Sequence, residues 1–432
     1  MSEITGDRRP VYIVDGARTP FLKARGRPGP FTPVDMAVAA GQPLLLRQPF
    51  EPGILDEVIL GCGAPIAGEL NPARVAALRL GCGLHVPAWS VQRNCASGMQ
   101  SIETAYRYIS DGRAEMILAG GTESLSHTPL QLNADMLNWM ADLNGARSLW
   151  KKLAVMARLR PRHFVPVVSL VQGLTDPVVK LGMGQTAEIL ADRFALGRDA
   201  MDAFALESHK RTARAHDAGH LAEIVPIFDA KGTLYDRDDG VRADNSLEQL
   251  GKLRPVFEPP YGKVTAGNSS QITDGGCLVI VASEAAVRRW KLEPLGRIVD
   301  SQWAGLDPAQ MGLGPVYSTA PILKRHNLKL ADIDAWEINE AFAAQVLACL
   351  AAFKDKAFCV DQLGLDDAVG GIDPAKLNID GGAISIGHPV GTSGARIVLH
   401  LLHVLKRTGA RRGIATICIG GGQGGTLLLE RE

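Results

Sequence analysis

The stretch SVQRNCASGMQSIETAYRYISDGRAEMILAGGTE, Ser90 to Glu123, reads as strand, helix and strand in succession. An apolar strand ends at Asn94, and a helix runs from Cys95 with Ile102, Tyr106 and Ile109 on one face at the i, i+4, i+7 spacing of an amphipathic helix. Gly112 ends that helix, and Glu115 to Ala119 returns as a buried strand before Gly120-Gly121. Upstream, strand-like runs at Val11–Val14 and Glu57–Leu60 alternate with a helix-like run at Arg74–Leu80. That alternation predicts an α/β architecture.

The same unit recurs at the far end of the chain. Ser393-Gly394 opens a helix with Ile397, Leu401 and Val404 on one face, Gly409 ends it, and Gly413 to Ile419 forms a strand before Gly420-Gly-Gly422. This predicts an internal duplication, two halves about a pseudo-twofold axis with each presenting a helix N-terminus to a shared centre. Between the units, Ser124 to Val264 is proline-punctuated and poor in strand-like runs, which reads as an insertion. The expected division is 1–123 with 265–290 as the first half, 124–264 as a loop domain and 291–432 as the second half.

Composition sets the bounds. The 432 residues fit two or three domains, and 46% of them are hydrophobic, enough to fill their cores. Lys plus Arg equals Asp plus Glu at 46 each, so no overall field draws nucleic acid or an anionic membrane. Met1 to Val14 carries Glu3 and Asp7 and resembles neither a signal nor a transit peptide. No apolar run approaches the roughly 20 residues that span a bilayer. Seven cysteines without paired CxxC spacing argue for a reducing cytoplasmic setting and against a structural metal. Local charge is another matter. Leu143 to Thr175 has no acidic residue but carries Arg147, Lys151, Lys152, Arg158, Arg160 and Arg162, with Leu149, Leu153 and Met156 at helical spacing. Such a segment, 147–162, suits a membrane surface, a partner subunit or phosphates, or is simply a lid helix with a solvated basic face.

Four elements carry chemistry. Cys95, in Asn94-Cys-Ala-Ser-Gly98, is expected at a helix N-terminus, where free N–H groups and the helix dipole favour a thiolate. His388, in the glycine-rich loop Gly387-His-Pro389, is a candidate general base for a thiol. Cys418 stands directly before Gly420-Gly-Gly-Gln-Gly-Gly425, whose backbone N–H groups can face a phosphate or an oxyanion. That glycine run follows the last long helix, which excludes a dinucleotide-binding context. Asn339, in Asn339-Glu-Ala-Phe342, either caps a helix or holds a water for a substrate oxygen.

In this order and spacing the elements, with Gly120-Gly-Thr-Glu-Ser124, Met183-Gly-Gln-Thr-Ala-Glu188 and Val264-Thr-Ala-Gly-Asn-Ser-Ser270, resemble the thiolase family over nearly the whole chain. The resemblance implies two stacked βαβαβ halves in a five-layer α-β-α-β-α fold with an inserted loop domain. It implies Cys95 as acyl-accepting nucleophile, and His388 with a water on Asn339 as stabilisers of a thioester enolate. Cys418 would be the second acid and base, and the N–H groups of Cys95 and Gly420 an oxyanion hole. Ser270 and Met183 would line the pantetheine channel. Coenzyme A would be a co-substrate with acyl-CoA, no cofactor would be permanently bound, and the chain would form a homodimer or homotetramer.

Two features bear on the subclass. Gly182 stands where many short-chain biosynthetic thiolases have histidine before Met-Gly. The length, Asp142-Leu-Asn-Gly-Ala-Arg147, the basic insertion and Asn268-Ser-Ser-Gln-Ile-Thr-Asp-Gly275 resemble the thiolase subunit of the fatty-acid oxidation trifunctional complex, which implies a hydratase/dehydrogenase subunit as partner. That subfamily usually has histidine where this chain has Asn339. The expected activity is 3-ketoacyl-CoA thiolysis, with acetoacetyl-CoA-specific acetyl transfer as the alternative. A ketoacyl synthase of the same superfamily would lack Cys418, and a non-catalytic acyl-CoA binding protein would not need the complete set.

Overall fold

The computed structural model describes residues 9–431. The opening residues with Glu3 and Asp7, on which the reading of the N-terminus rested, lie outside them. Strands β1 (Val11–Arg18), β2 (Leu22–Lys23), β3 (Glu57–Gly61), β4 (Ala88–Val91) and β5 (Met116–Ser124) belong to the first part of the chain. Two short ladders follow in the insertion, β6 (Leu130–Gln131) with β7 (Val167–Val168) and β8 (Ile227–Phe228) with β9 (Leu234–Tyr235). Then come β10 (Thr273–Ser283), β11 (Gly296–Gly305), β12 (Ala335–Ile338), β13 (Arg412–Ile419) and β14 (Gln423–Glu430).

The duplication is visible in the strand order. Outward from their junction the halves read β1-β10-β5-β3-β4 and β11-β14-β13-β12, antiparallel for the first three strands and parallel beyond. The counterpart of β4 in the second half is only a parallel bridge from Trp336 to Leu377. Even irregularities repeat. Ile13-Val-Asp15 and Ile298-Val-Asp300 each break the register of their strand. At each break the aspartate accepts the next residue's N–H at 2.8 Å, Gly16 or Ser301. Each also takes a forked arginine from just after or at the end of an outer helix, Arg47 on Asp15 and Arg325 on Asp300. The halves meet edge to edge where Tyr12 and Ile13 pair with Arg297 and Gly296.

Five layers result. Helices Pro33–Leu46 and Pro72–Arg79 cover the outer face of the first sheet, and Gly314–Arg325 and Ala343–Lys354 that of the second. Between the sheets lie Ser97–Ser110 and Val390–Thr408, the cysteine helix and the histidine helix. Ile102, Tyr106 and Ile109 on one, and Ile397, Leu401 and Val404 on the other, are all buried as the periodicity requires. Each large aliphatic side chain so buried contributes about 1.5–3 kcal/mol. The histidine helix starts at Val390, three residues before the glycine-based expectation, because Gly394 serves contact rather than termination. A Cβ on Gly98 would lie 2.8 Å from the Gly391 carbonyl oxygen, and one on Gly394 2.7 Å from the Met99 nitrogen. Gly394→Ala is therefore expected to cost about 1–3 kcal/mol, read as a lowered midpoint in chemical denaturation.

The insertion is helical, with Ala134–Gly145, Leu149–Met156, Ser169–Gly173, Met183–Arg193 and Arg198–Asp217. The expected helix around Lys151 forms, capped by Ser148, whose side chain accepts the Lys151 N–H. Its apolar stripe does not face the protein: Leu149, Leu153 and Met156 are exposed, and only Val155 is buried. Trp150 is 80% exposed. Among the described residues no helix is long and apolar enough to cross a membrane.

Candidate active site

β4 stops at Val91, and a tight turn precedes the cysteine helix, which begins at Ser97 rather than at Cys95. The reason is Asn94, whose φ of 44° lies in the left-handed region and cannot continue into a right-handed helix. Ser97 closes the turn, its Oγ accepting the Arg93 N–H at 2.8 Å and donating to the Asn94 carbonyl at 2.7 Å. Cys95 thus sits on the turn at the mouth of the helix. Two backbone N–H groups, those of Gly420 and of Cys95 itself, converge on its sulfur. Asn94 fixes the Gly420 peptide from the other side, donating Nδ2–H to its carbonyl at 2.8 Å.

The thiol is not resting as a thiolate. Burial pushes the Cys95 pKa above its ordinary value and outweighs the pull of the two N–H groups, while the charge of Glu123 adds to the rise. The sequence expectation of a lowered pKa considered the helix end without the surrounding protein.

His388 is buried, with its N–H donated to the Gln271 carbonyl at 2.9 Å. Its Nδ1 lies 2.6 Å from Ser393 Oγ, which also donates to the Pro389 carbonyl at 3.2 Å. With the hydroxyl proton on that carbonyl, Nδ1–H is the donor to Ser393 and Nε2 is left as the acceptor. Nε2 is buried without a protein partner. Burial, with the charge of Arg396, holds the imidazole down at a pKa of about 4, so it is neutral.

Asn339 follows β12 and donates its N–H to the Thr416 carbonyl at 3.0 Å. It caps nothing, since the next helix starts at Ala343 with Phe342 at the cap position. Its Nδ2 and Oδ1 are both buried and without a protein partner. Leaving such a group unpaired costs about 1–3 kcal/mol, so a water or a substrate oxygen is the natural completion here. Ser270 and Gln271 tie these loops together, the Ser270 N–H donating to Ala341 at 3.0 Å and the Gln271 carbonyl accepting from His388. Cys418, fully buried on β13, packs in one apolar cluster with Met183, Phe342 and Ile384. Burial, with the neighbouring titratable thiols of Cys95 and Cys349 adding to it, holds its thiol well above the usual range.

Cys95, Asn94, Glu123, Met183 and Gly420 line a cavity of about 360 Å³ whose far wall is the Ser169–Val178 segment of the insertion. Asn339, His388, Cys418 and Ser270 are not on its lining. A larger depression of about 560 Å³, between the Leu22–Pro30 loop and Asp229–Lys231, is lined by no cysteine or histidine.

Comparison with known proteins settles the family. The family model described as "Thiolase, N-terminal domain" matches residues 11–285, and "Thiolase, C-terminal domain" matches residues 292–431. The chain belongs to the thiolase family. A curated relative, the 3-ketoacyl-CoA thiolase of Yersinia enterocolitica, is 35% identical over 99% of this chain and 98% of its own. The crystal structure of human mitochondrial 3-ketoacyl-CoA thiolase in complex with CoA superposes with a TM-score of 0.83 at 36% identity, covering 98% of each chain. The acetyl-CoA acetyltransferase of Syntrophomonas wolfei superposes with a TM-score of 0.86 at 30% identity, covering 99% of this chain and 100% of its own. This thiolase is accordingly an acyltransferase with the expected layered fold.

Sequence reading overlooked three residues of the site. In sequence Ser393 opens a helix, whereas in the structure its hydroxyl meets the His388 ring at Nδ1. In sequence Asn94 marks only a strand end, and Glu123 only a position in Gly120-Gly-Thr-Glu-Ser124.

Proposed function

We propose that this thiolase cleaves 3-ketoacyl-CoA with CoA to give acetyl-CoA and a shortened acyl-CoA, as in fatty-acid β-oxidation. The observation that carries the reading is Cys95 at the wall of a cavity, under two converging backbone N–H groups.

In this reading Cys95 passes its proton to His388 Nε2 as the sulfur attacks the 3-keto carbon. The C2–C3 bond then breaks, leaving an acyl–Cys95 thioester and the enolate of acetyl-CoA. The new Nε2–H and a water on Asn339 hydrogen-bond the enolate's thioester oxygen. Cys418 protonates C2; its raised pKa keeps the proton in place until so strong a base forms. The Cys418 thiolate next takes the proton of an incoming CoA thiol, whose sulfur attacks the acyl–Cys95 carbonyl. The Cys95 and Gly420 N–H groups hold that oxyanion until Cys95 leaves and takes back the proton from His388 Nε2. Met183 and Ser270 are assigned to the pantetheine arm, 124–264 acts as the covering domain, and the chain works as a homo-oligomer.

The acetyltransferase relative favours a second reading, acetoacetyl-CoA-specific acetyl transfer, against which Gly182 stands. Thiolysis of a 3-ketoacyl-CoA series from short to long acyl chains decides between them. Preference beyond the four-carbon substrate supports the first reading, and binding of CoA esters without any cleavage refutes both.

The outward face of the insertion suits an anionic lipid surface. Leu149, Trp150, Leu153 and Met156 are exposed there beside exposed Arg147, Lys151, Lys152 and Arg158, the mixture of apolar and cationic chains that interfacial helices present. The chain is expected to sediment with phosphatidylglycerol-containing vesicles but not with pure phosphatidylcholine. Reversing Lys151, Lys152 and Arg158 to glutamate should abolish sedimentation and leave turnover of a soluble short-chain substrate within about twofold. If the unmodified chain ignores both vesicles, a protein partner such as a hydratase/dehydrogenase subunit becomes the better occupant.

A further inference from the structure

Glu123 lies at the end of β5, fully buried, and is one of the residues bordering the cavity that holds Cys95. Its Oε2 accepts the N–H groups of Gly63 and Gly391, each at 2.8 Å. Its Oε1 accepts the Ala64 N–H at 3.0 Å and faces the Cys62 thiol at 3.6 Å. Three of these donors belong to the half that carries Cys95. The fourth, Gly391, is the second residue of the histidine helix and stands three residues after His388. A free N–H in the first helical turn is normally capped from its own chain segment. Here the cap is a carboxylate from the opposite half, where the helix dipole favours negative charge. The approach is tight on both sides: a Cβ on Gly63 would lie 2.7 Å from Oε2, and one on Gly391 2.9 Å from the same oxygen.

We propose that Glu123 is a positioning residue for acyl transfer, fixing the loop that bears His388 against the half that bears Cys95. A carboxylate suits the place because each of its four hydrogen-bonding partners is a donor. Burial is the main reason that the Cys95 thiol is raised, and the charge of Glu123 adds to that rise. The inference rests on the thiolase reading of the site.

Glu123→Gln keeps the volume but turns one acceptor into an NH₂ facing donors. With the wild-type chain turning over 3-ketoacyl-CoA, the variant is expected to lose on the order of 10²-fold in kcat with KM within about twofold, the mark of misplaced reacting groups. Its Cys95 should alkylate with iodoacetamide at a lower pH midpoint than wild type, a shift that a purely structural role would not produce. Gly63→Ala separates geometry from charge, since its Cβ displaces the carboxylate without neutralising it. It should lose kcat to a similar extent, and it decides the matter should Glu123→Gln fail to fold. A kcat within about twofold of wild type in the soluble variants, with unshifted alkylation, overturns the proposal. Absence of thiolysis in the wild-type chain would instead refute the activity on which it rests.

Discussion

Cys95→Ala is expected to lower thiolysis on the order of 10⁴-fold or more and to abolish any acyl adduct on the intact protein. The magnitude follows from removing a nucleophile whose partners then have nothing to act on, the situation in which single knockouts of a catalytic unit cost as much as removing the unit. Alanine removes the sulfur that receives the Gly420 N–H but leaves the turn, because Ser97 and the Asn94–Gly420 hydrogen bond hold that backbone without it. CoA-ester binding should therefore survive, which separates loss of chemistry from loss of structure. Intact-mass analysis with substrate and no free CoA gives the complementary result: wild type gains one acyl group, Cys95→Ala none. A Cys95→Ala protein that retained turnover or an adduct would move the nucleophile to another residue and undo the mechanism.

The parts of this site that were legible in the sequence are those encoded locally. Ile102, Tyr106 and Ile109 predict a helix because their spacing alone places them on one face, and burial follows. The Cys95, His388 and Cys418 motifs are short runs whose glycines and prolines fix the backbone in place. What escaped depends on distant partners or on direction. Glu123 gains its role from residues 63, 64 and 391, remote in the chain, and nothing around Gly120–Ser124 signals that a carboxylate there caps a helix of the other half. The Leu149, Leu153 and Met156 stripe was visible, but periodicity reports that a stripe exists and not which way it turns. The second-half counterpart of β4 was invisible because Leu377 sits between Pro374 and Gly381 in a segment without β-branched alternation, and it pairs only as a bridge. Two helix starts differ for different reasons. The cysteine helix begins at Ser97 rather than Cys95 because Asn94 is left-handed. The histidine helix begins before Gly394 because that glycine is there so that two helices can touch, a role that looks the same in sequence as opening a helix. The lowered thiol pKa expected from a helix end failed similarly, since burial belongs to the whole fold.

The second large effect is expected from His388→Gln, a fall in kcat of about 10²–10⁴-fold with a changed pH profile. With Cys95 raised and His388 held down at a pKa of about 4, the proposed mechanism starts from a neutral thiol and a neutral imidazole rather than an ion pair. The sign of the pH dependence follows. Protonation of His388 removes the base only as pH falls through about 4, so kcat/KM for wild type should show no acid-side inflection near the ordinary imidazole value of about 6.5. On the alkaline side, deprotonation of Cys95 makes the nucleophile directly, so the rate should climb with pH toward the raised thiol pKa. In His388→Gln the base is gone, and the remaining activity should depend on pre-formed thiolate alone, rising about tenfold per pH unit below that pKa. Glutamine fills much of the ring's volume and keeps the main-chain N–H bonded to the Gln271 carbonyl, so the loop should keep its place while losing its base. An acid limb near pH 6.5 in wild type would instead mean a hydrated, chargeable His388 and a resting thiolate–imidazolium pair, contrary to the burial of Nε2 observed here. The profile thus tests whether burial or the helix end governs the resting state of the nucleophile.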